Sequence, residues 1–528
     1  MQKADKVIKP VPRSNVKSFF INGALMTLCS IILRSIAVSF NIYVANVAGS
    51  EAVGLYTLLG SVYGFALTLS LSGINLAMTR LVSEALALGD ESKAVFIIKR
   101  ATAFAFIFGS VASVLLFLLS EPLSHMWLNE SRAVKPLRRL AVCLPAVSLS
   151  SVFNGYFTAV RRAYKNALAN LAEMTAKISF TVLLFSRYIE KDVETACTVL
   201  VLGSVFAEIC SFAINLTLYC FDRFRNLKSS TKKPLDTGIS KSILSISLPV
   251  ALTSYVRSAL LSIEHALVPK GLYKFGSDKS TALSAYGTLT GMALPVINFP
   301  YALIGSFTSL LIPEIAESRT RGDKRHIKYI IYRTYQSCLT FAFCIGGIFF
   351  AFADHLSEIL YSSVEAGRYI RLLSLLVPVM YTDTSTDAIL KGLGEQIHCM
   401  KVNIADALLS VLLVYLLVPR YGIMGYIATI YIAEIVNAAL SIGRLLTITG
   451  FRFPLAKLLF LPLFCAVGAG AISNILLRLI HMPTSPLSTI LGSMIFILLY
   501  FIFMSVTGTL SNEDAEWIRS LIKKQKPL

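Results

Sequence analysis

Apolar runs long enough to cross a bilayer recur from one end of this chain to the other, and that recurrence constrains the fold before any single residue does. A hydrocarbon layer about 30 Å thick takes about 20 helical residues to span. Within it every backbone N–H and C=O must be satisfied inside the protein, so runs of about 18 to 25 residues are read as helices. With 528 residues, 55% hydrophobic and only 15% charged, the chain is expected to be an all-α polytopic membrane protein. About fourteen helices fit, near 18–47, 52–79, 95–119, 137–160, 167–187, 195–220, 241–269, 281–315, 329–353, 369–390, 401–418, 422–445, 455–479 and 486–508.

The net charge of +19 does not point to nucleic acid, because the basic residues cluster in short loops between the apolar runs. A basic start with Lys3, Lys6, Lys9, Arg13 and Lys17 precedes a run too long for a signal peptide, so an uncleaved, inward-facing N-terminus is expected. On that assignment the inward loops and both tails hold roughly 33 of the 49 Lys and Arg, as the positive-inside rule requires. The nine cysteines lie mostly within apolar runs, with no C-x-x-C pair, and read as reduced packing residues. No metal or cofactor is expected.

Internal repetition sets the architecture. RLVSEALALGD (80–90) matches PEIAESRTRGD (313–323), and Asn170 and Glu173 meet Asn403 and Asp406 at the same offset of about 233 residues. Six helices therefore repeat as six, and an even number per unit preserves orientation, giving parallel lobes related by an axis along the membrane normal. The expected divisions are a cytoplasmic basic tail (1–17), a first lobe (18–220), a polar linker (221–240), a second lobe (241–446), two further helices (447–508) and a cytoplasmic amphipathic tail (509–528).

The seventh apolar segment carries RSALLSIEH (257–265), which echoes RSIAVSFNI (34–42) in the first. Each copy has an arginine, then serines, then a polar or acidic residue seven positions on, Asn41 in one and Glu264 in the other. These spacings place the groups on one helix face. A charge near a bilayer centre costs about 2.5 to 3.5 kcal/mol, so such a face is expected to line a wet cavity. Arg34 and Arg257 are candidate substrate-binding cations, with Asn41 beside them, because guanidinium stays charged and forks onto phosphate oxygens. Glu264, His265, Asp406 and Glu434 are candidates for a coupling proton or ion. Glu173 and Lys177, one turn apart with the acid first, read as an intrahelical salt bridge. Asp383 and Asp387 read as a solvated face at the inner end of the tenth helix. Gly287, Gly291, Pro295 and Pro300 are candidate hinge positions in the eighth.

Several stretches carry a family resemblance: AGSEAVGLYTLL (48–59), SGINLAMTRLVSEALALGD (72–90), SVFNGYFTAVRRA (151–163), SAYGTLTGMALPVINFP (284–300), LIPEIAES (311–318) and AILKGLGEQ (388–396). Through them the chain resembles the stage V sporulation protein B group of the multidrug, oligosaccharidyl-lipid and polysaccharide exporter superfamily. The resemblance implies a two-lobed, V-shaped transporter, like the drug exporters and lipid flippases of that superfamily. It also implies translocation of a polyprenyl-diphosphate-linked saccharide, such as a peptidoglycan precursor, across the cell membrane, in a group associated with spore cortex formation. Lipid II flippases look like more distant relatives. Arg34 matches an arginine in their first helix, but an Arg-Asp pair of theirs is Phe40-Asn41 here.

The expected partners are thus a lipid-linked saccharide and membrane lipids, with proton, sodium or membrane-potential coupling. A cation-coupled multidrug exporter is the alternative within the superfamily. A membrane glycosyltransferase or polymerase is the second alternative, although no loop offers room for a catalytic domain and no P-loop, G-x-G-x-x-G or H-E-x-x-H is present. A purely scaffolding role would leave the intramembrane charges without a purpose.

Overall fold

The computed structural model describes residues 14–71, 73–160, 162, 164–187, 192–226, 238–451, 453–479 and 485–508. Residues 1–13 of the expected basic tail, most of the linker and the amphipathic tail lie outside them. Among the described residues there are helices and no strands. The two longest, α1 (Ser14–Leu71) and α14 (Gln396–Thr449), have 58 and 54 residues, roughly 80 to 90 Å at 1.5 Å per residue and far more than one bilayer crossing. Each is broken near its middle by a glycine with positive φ, Gly49 (φ 80°) and Gly422 (φ 61°), so each provides two traverses. The second limb of α1 continues after Gly73 as α2 (Ile74–Ala87).

The first lobe is completed by α3 (Glu91–Pro122), α4 (Val134–Ala159), α5 (Tyr164–Arg187) and α6 (Val193–Asn226). In the second, α7 (Ile239–Phe275) is followed by α8 (Lys279–Gly287), α9 (Leu294–Asn298) and α10 (Tyr301–Thr320), which together make the expected eighth segment. Then come α11 (Lys324–Tyr361), α12 (Val364–Ser374), α13 (Val377–Gly392) and α14, and finally α15 (Leu461–Leu479) and α16 (Pro486–Val506). The arrangement is compatible with the fourteen expected traverses. Most helices run a few residues past the apolar runs, because polar caps and charged turns extend them beyond the hydrocarbon.

The repeated Gly-Asp pair shows why the two lobes turn alike. Gly89 (φ 74°) and Gly322 (φ 72°) adopt the left-handed conformation that ends a helix, which glycine takes without steric cost. The aspartate that follows caps the next helix: the Asp90 carboxylate accepts from the Lys93 N–H at 2.8 Å, and Asp323 from the His326 N–H at 3.0 Å.

Among the described residues, three apolar cores hold the molecule. One packs α2, α3 and α4 with Tyr219 of α6 and with Ile239 and Ile243 from the start of α7. A second joins α10, α11 and α13 to α15 and α16, through Tyr335, Phe352, Phe496 and Tyr500. The largest crosses between the lobes, where Leu55, Leu58 and Leu59 of α1 meet Leu283, Tyr286 and Leu289. The last two helices also present exposed apolar side chains such as Phe464, Val467, Met494 and Leu498, as a lipid-facing surface does.

At the end of the molecule that carries the α1 break at Gly49, the lobes are sealed. Ser50 and Ser284 share a 2.6 Å hydrogen bond, and the Ser280 hydroxyl donates to Glu51 at 2.6 Å. Glu51 is also held by Arg132 at 2.9 Å, which pairs with buried Glu130 at the same distance. Lys270 Nζ donates to the Met126 carbonyl at 2.9 Å, and Asn46 Nδ2 to that of Leu360 at 2.8 Å. Gly54 and Gly287 let the two backbones meet: a Cβ on Gly287 would lie 2.1 Å from the Ser50 carbonyl oxygen.

Candidate functional site

Between the lobes, the first polar group is Arg34. Its side chain is exposed, yet its Nη2 crosses to the second lobe and donates to the Asn298 carbonyl at 3.2 Å. Asn298 ends α9, and the chain turns through Phe299 and Pro300 before α10. Carbonyls at a helix end lack intrahelical partners, which is why an arginine finds an acceptor there. Pro300 thus makes a break that the first lobe holds, while Pro295 sits in the first turn of α9. Gly287 precedes a π-helical turn, Thr288–Ala293, and Gly291 lies within it; the two pack tightly against Gly54 and Val53 of α1. They permit close approach of this segment to α1. Asn41 is exposed on the same limb of α1 as Arg34.

In the second lobe, Glu264 of α7, Asp383 of α13, and Asp406 and Glu434 of α14 form one acidic group. Glu264 is buried, at 9% exposure, and lies within electrostatic reach of Asp406. Glu434 is within reach of both Asp383 and Asp406. Asp383 accepts from Asn437 Nδ2 at 3.0 Å through one oxygen, while its other oxygen and Oδ1 of Asp406 are buried without a partner. The cation nearest Asp406 is Arg257, which is exposed and makes no ion pair within 4 Å among the described residues. No three His, Cys, Asp or Glu side chains converge as metal ligands among the described residues.

Asp383 is the member that sequence reasoning missed. Neither aspartate forms the expected solvated face: Asp387, its side chain 19% exposed, meets Lys391 at 3.3 Å, and Asp383 turns inward toward α14. His265 is turned away from the acids toward the eighth segment. Its Nδ1 and the Tyr286 hydroxyl are 2.9 Å apart, with the two rings edge to face. One position apart on a helix, Glu264 and His265 point about 100° from each other, and the Tyr286 hydroxyl that holds His265 is itself within electrostatic reach of Glu264.

The first lobe holds a second polar group, on α1, α5 and α6. The Lys177 ammonium donates to the Tyr56 hydroxyl at 3.2 Å and lies 5.7 and 5.9 Å from the centres of the Tyr56 and Phe40 rings. Tyr56 shares a 2.9 Å hydrogen bond with Ser204. Glu173 and Glu208 are within electrostatic reach of Lys177, but neither forms an ion pair with it within 4 Å. The intrahelical Glu173–Lys177 bridge is therefore not made: Glu173 faces Ser211 of α6, and the lysine is held by a phenol and two aromatic faces. A separate buried acid, Asp222 at the end of α6, is bound by Arg162, by Lys165 at 2.8 Å and by the Tyr156 hydroxyl at 3.1 Å, and fastens the connection between α4 and α5.

Comparison with known proteins places this arrangement. The chain is 24% identical over 414 residues to the stage V sporulation protein B of Bacillus subtilis (strain 168), covering 78% of this chain and 80% of that protein. It is 26% identical over 238 residues to the sporulation protein YkvU of the same organism, covering 44% and 52% respectively. Among solved structures, the inward closed conformation of the lipid II flippase MurJ superposes with a TM-score of 0.70 at 13% identity, covering 92% of this chain and 99% of that one. An inward-facing multidrug resistance MATE transporter of the MOP superfamily matches with a TM-score of 0.59 at 14% identity, covering 80% and 99%. Both likenesses show the transporter fold expected from the repeat. Residues 20–299, more than half of the chain, match the family described as polysaccharide biosynthesis protein, and the chain belongs to that family.

Proposed function

We propose that this protein is a flippase that carries a polyprenyl-diphosphate-linked saccharide across the cell membrane by alternating access. The observation that carries the reading is Arg34, an exposed intramembrane cation that spans the two lobes and rests on the break in the eighth segment. A diphosphate offers it stronger, charge-assisted acceptors than a carbonyl. Arg34 leaving the Asn298 carbonyl for such an anion would release the contact between α1 and the α9–α10 break. Substrate binding and lobe movement would then be linked at one side chain. Arg257 supplies a second exposed cation, the polyprenyl tail remains in lipid along the apolar helices, and the saccharide follows the diphosphate through the cleft.

The acidic group of Glu264, Asp383, Asp406 and Glu434 is the site we assign to the driving proton or ion. Among the four carboxylates Asp406 lies within electrostatic reach of Arg257 and Asp383 within reach of Lys391, so negative charge is in excess, and cation uptake there lowers the mutual repulsion and changes the packing of α7 on α14. The membership of the polysaccharide biosynthesis family and the similarity to two sporulation proteins support a cell-envelope precursor as cargo. The orientation with both termini cytoplasmic rests on the distribution of Lys and Arg.

The test is reconstitution into vesicles with a lipid-linked disaccharide, measuring how fast the head group becomes accessible on the opposite leaflet. Arg34→Ala and Arg257→Ala are each expected to lower that rate; Asp406→Asn is expected to remove its dependence on an imposed ion gradient. Wild-type rates in both arginine variants would overturn the assignment.

A further inference from the structure

Lys177 is a charged group with unused capacity. An ammonium has three N–H donors, and among the described residues one donates to Tyr56 while no carboxylate comes within 4 Å. The groups facing it are Tyr56 and, beyond it, Tyr63 from α1, Cys143 of α4 hydrogen-bonded to Tyr63 at 3.2 Å, Glu173 from its own helix α5, and Glu208 of α6. One ammonium therefore sits among two carboxyls, with an excess of one negative charge when both are ionised. Further along the same face of α6, Asn215 is fully buried and both its amide atoms lack a partner. At the repeat offset, Glu173 corresponds to Asp406, whereas Lys177 falls on Ser410, so the lysine belongs to the first lobe alone.

Resting on the flippase reading above, we infer that Lys177, Glu173 and Glu208 form a proton-linked anion site, in which a diphosphate on Lys177 replaces the field of the two carboxylates as they take up protons. The three negative groups compete for one ammonium. Bringing a diphosphate onto Nζ places a further anion beside Glu173 and Glu208, and a carboxylate next to an added anion gains affinity for a proton. By linkage, protonating either carboxyl strengthens diphosphate binding to the same extent. Tyr56 and Phe40 hold the ammonium in place, so the anion meets a fixed charge rather than a mobile one. No covalent step is involved: a proton moves from water to a carboxylate oxygen on binding and returns on release. Protons would thus travel with the head group through the first lobe, independently of the acidic group in the second.

The test uses the full-length protein in phosphatidylcholine nanodiscs, titrated calorimetrically with inorganic pyrophosphate in two buffers of different ionisation enthalpy. This counts protons exchanged on binding. Wild type is expected to take up more protons than Glu173→Gln/Glu208→Gln; the probe's own titration is common to both and cancels. Lys177→Gln is expected to weaken binding by about tenfold or more, and Lys177→Arg to restore most of it, which separates loss of charge from loss of fold. Equal proton counts in wild type and the double variant, or wild-type affinity in Lys177→Gln, would overturn the inference. Loss of the signal on adding phosphatidylglycerol would assign the site to phospholipid phosphate instead. An intact proton difference in a protein that moves no lipid-linked saccharide would overturn the flippase reading and leave this site standing.

Discussion

Replacing Gly287 by alanine tests whether the seal between the lobes is a closed gate or merely a crossing of helices. A Cβ there would lie 2.1 Å from the Ser50 carbonyl oxygen, 2.6 Å from the Gly54 nitrogen and 2.8 Å from the Gly54 Cα. Ordinary contact begins near 3.4 Å, so α8 and α1 must part by roughly 1 Å, and the neighbours are backbone that cannot rotate aside. Overpacking of this kind costs about 1 to 3 kcal/mol, and it falls on the sealed state alone. An equilibrium shift of that size is a factor of about 5 to 150. The assay is the rate at which a membrane-impermeant maleimide labels Ser284→Cys, with the native cysteines replaced, because Ser284 is hydrogen-bonded to Ser50 within the seal. Labelling is expected to rise by that factor in Gly287→Ala. Gly60→Ala is the control, since its Cβ would meet nothing within 4 Å on the same limb of α1. Equal labelling of the two variants would refute the claim that close backbone approach holds this end shut.

Other outcomes follow from the same geometry. Arg132→Gln leaves Glu130, whose side chain is only 4% exposed, without its cation. A loss of about 3 kcal/mol is expected, read as a lowered thermal midpoint with the solubilised protein. Tyr286→Phe removes the partner of His265, with an expected cost of about 1 to 3 kcal/mol; a pair of this kind that only packs should leave the ion dependence of transport unchanged. Asp383→Asn should reduce ion-gradient stimulation as Asp406→Asn does, whereas Asp387→Asn, facing Lys391, should not. Matching effects at 383 and 387 would contradict the division drawn between them.

The helices were legible because a bilayer admits few ways of satisfying the backbone, and the repeat was legible because Gly89-Asp90 and Gly322-Asp323 do the same capping work. The breaks were only partly so. Gly287, Gly291, Pro295 and Pro300 marked the eighth segment as irregular, but only their neighbours on α1 show that the two glycines serve close contact. Arg34 could be singled out as costly, whereas its acceptor is a backbone carbonyl 264 positions away, which no residue type encodes. Glu173 and Lys177 show the limit of local spacing. The i, i+4 rule describes isolated helices, and here Tyr56, Phe40 and Ser211 from neighbouring helices draw the two side chains to different partners. Asp383 was misread for the same reason, since its facing residue, Asn437, comes from α14.

The most direct measurement is the appearance of the saccharide head group on the far leaflet of vesicles containing the purified protein, a lipid-linked saccharide and an imposed proton or sodium gradient. Translocation well above protein-free vesicles, lowered by Arg34→Ala and uncoupled from the gradient by Asp406→Asn, is the expected result. A rate equal to that of empty vesicles under every gradient would contradict the account.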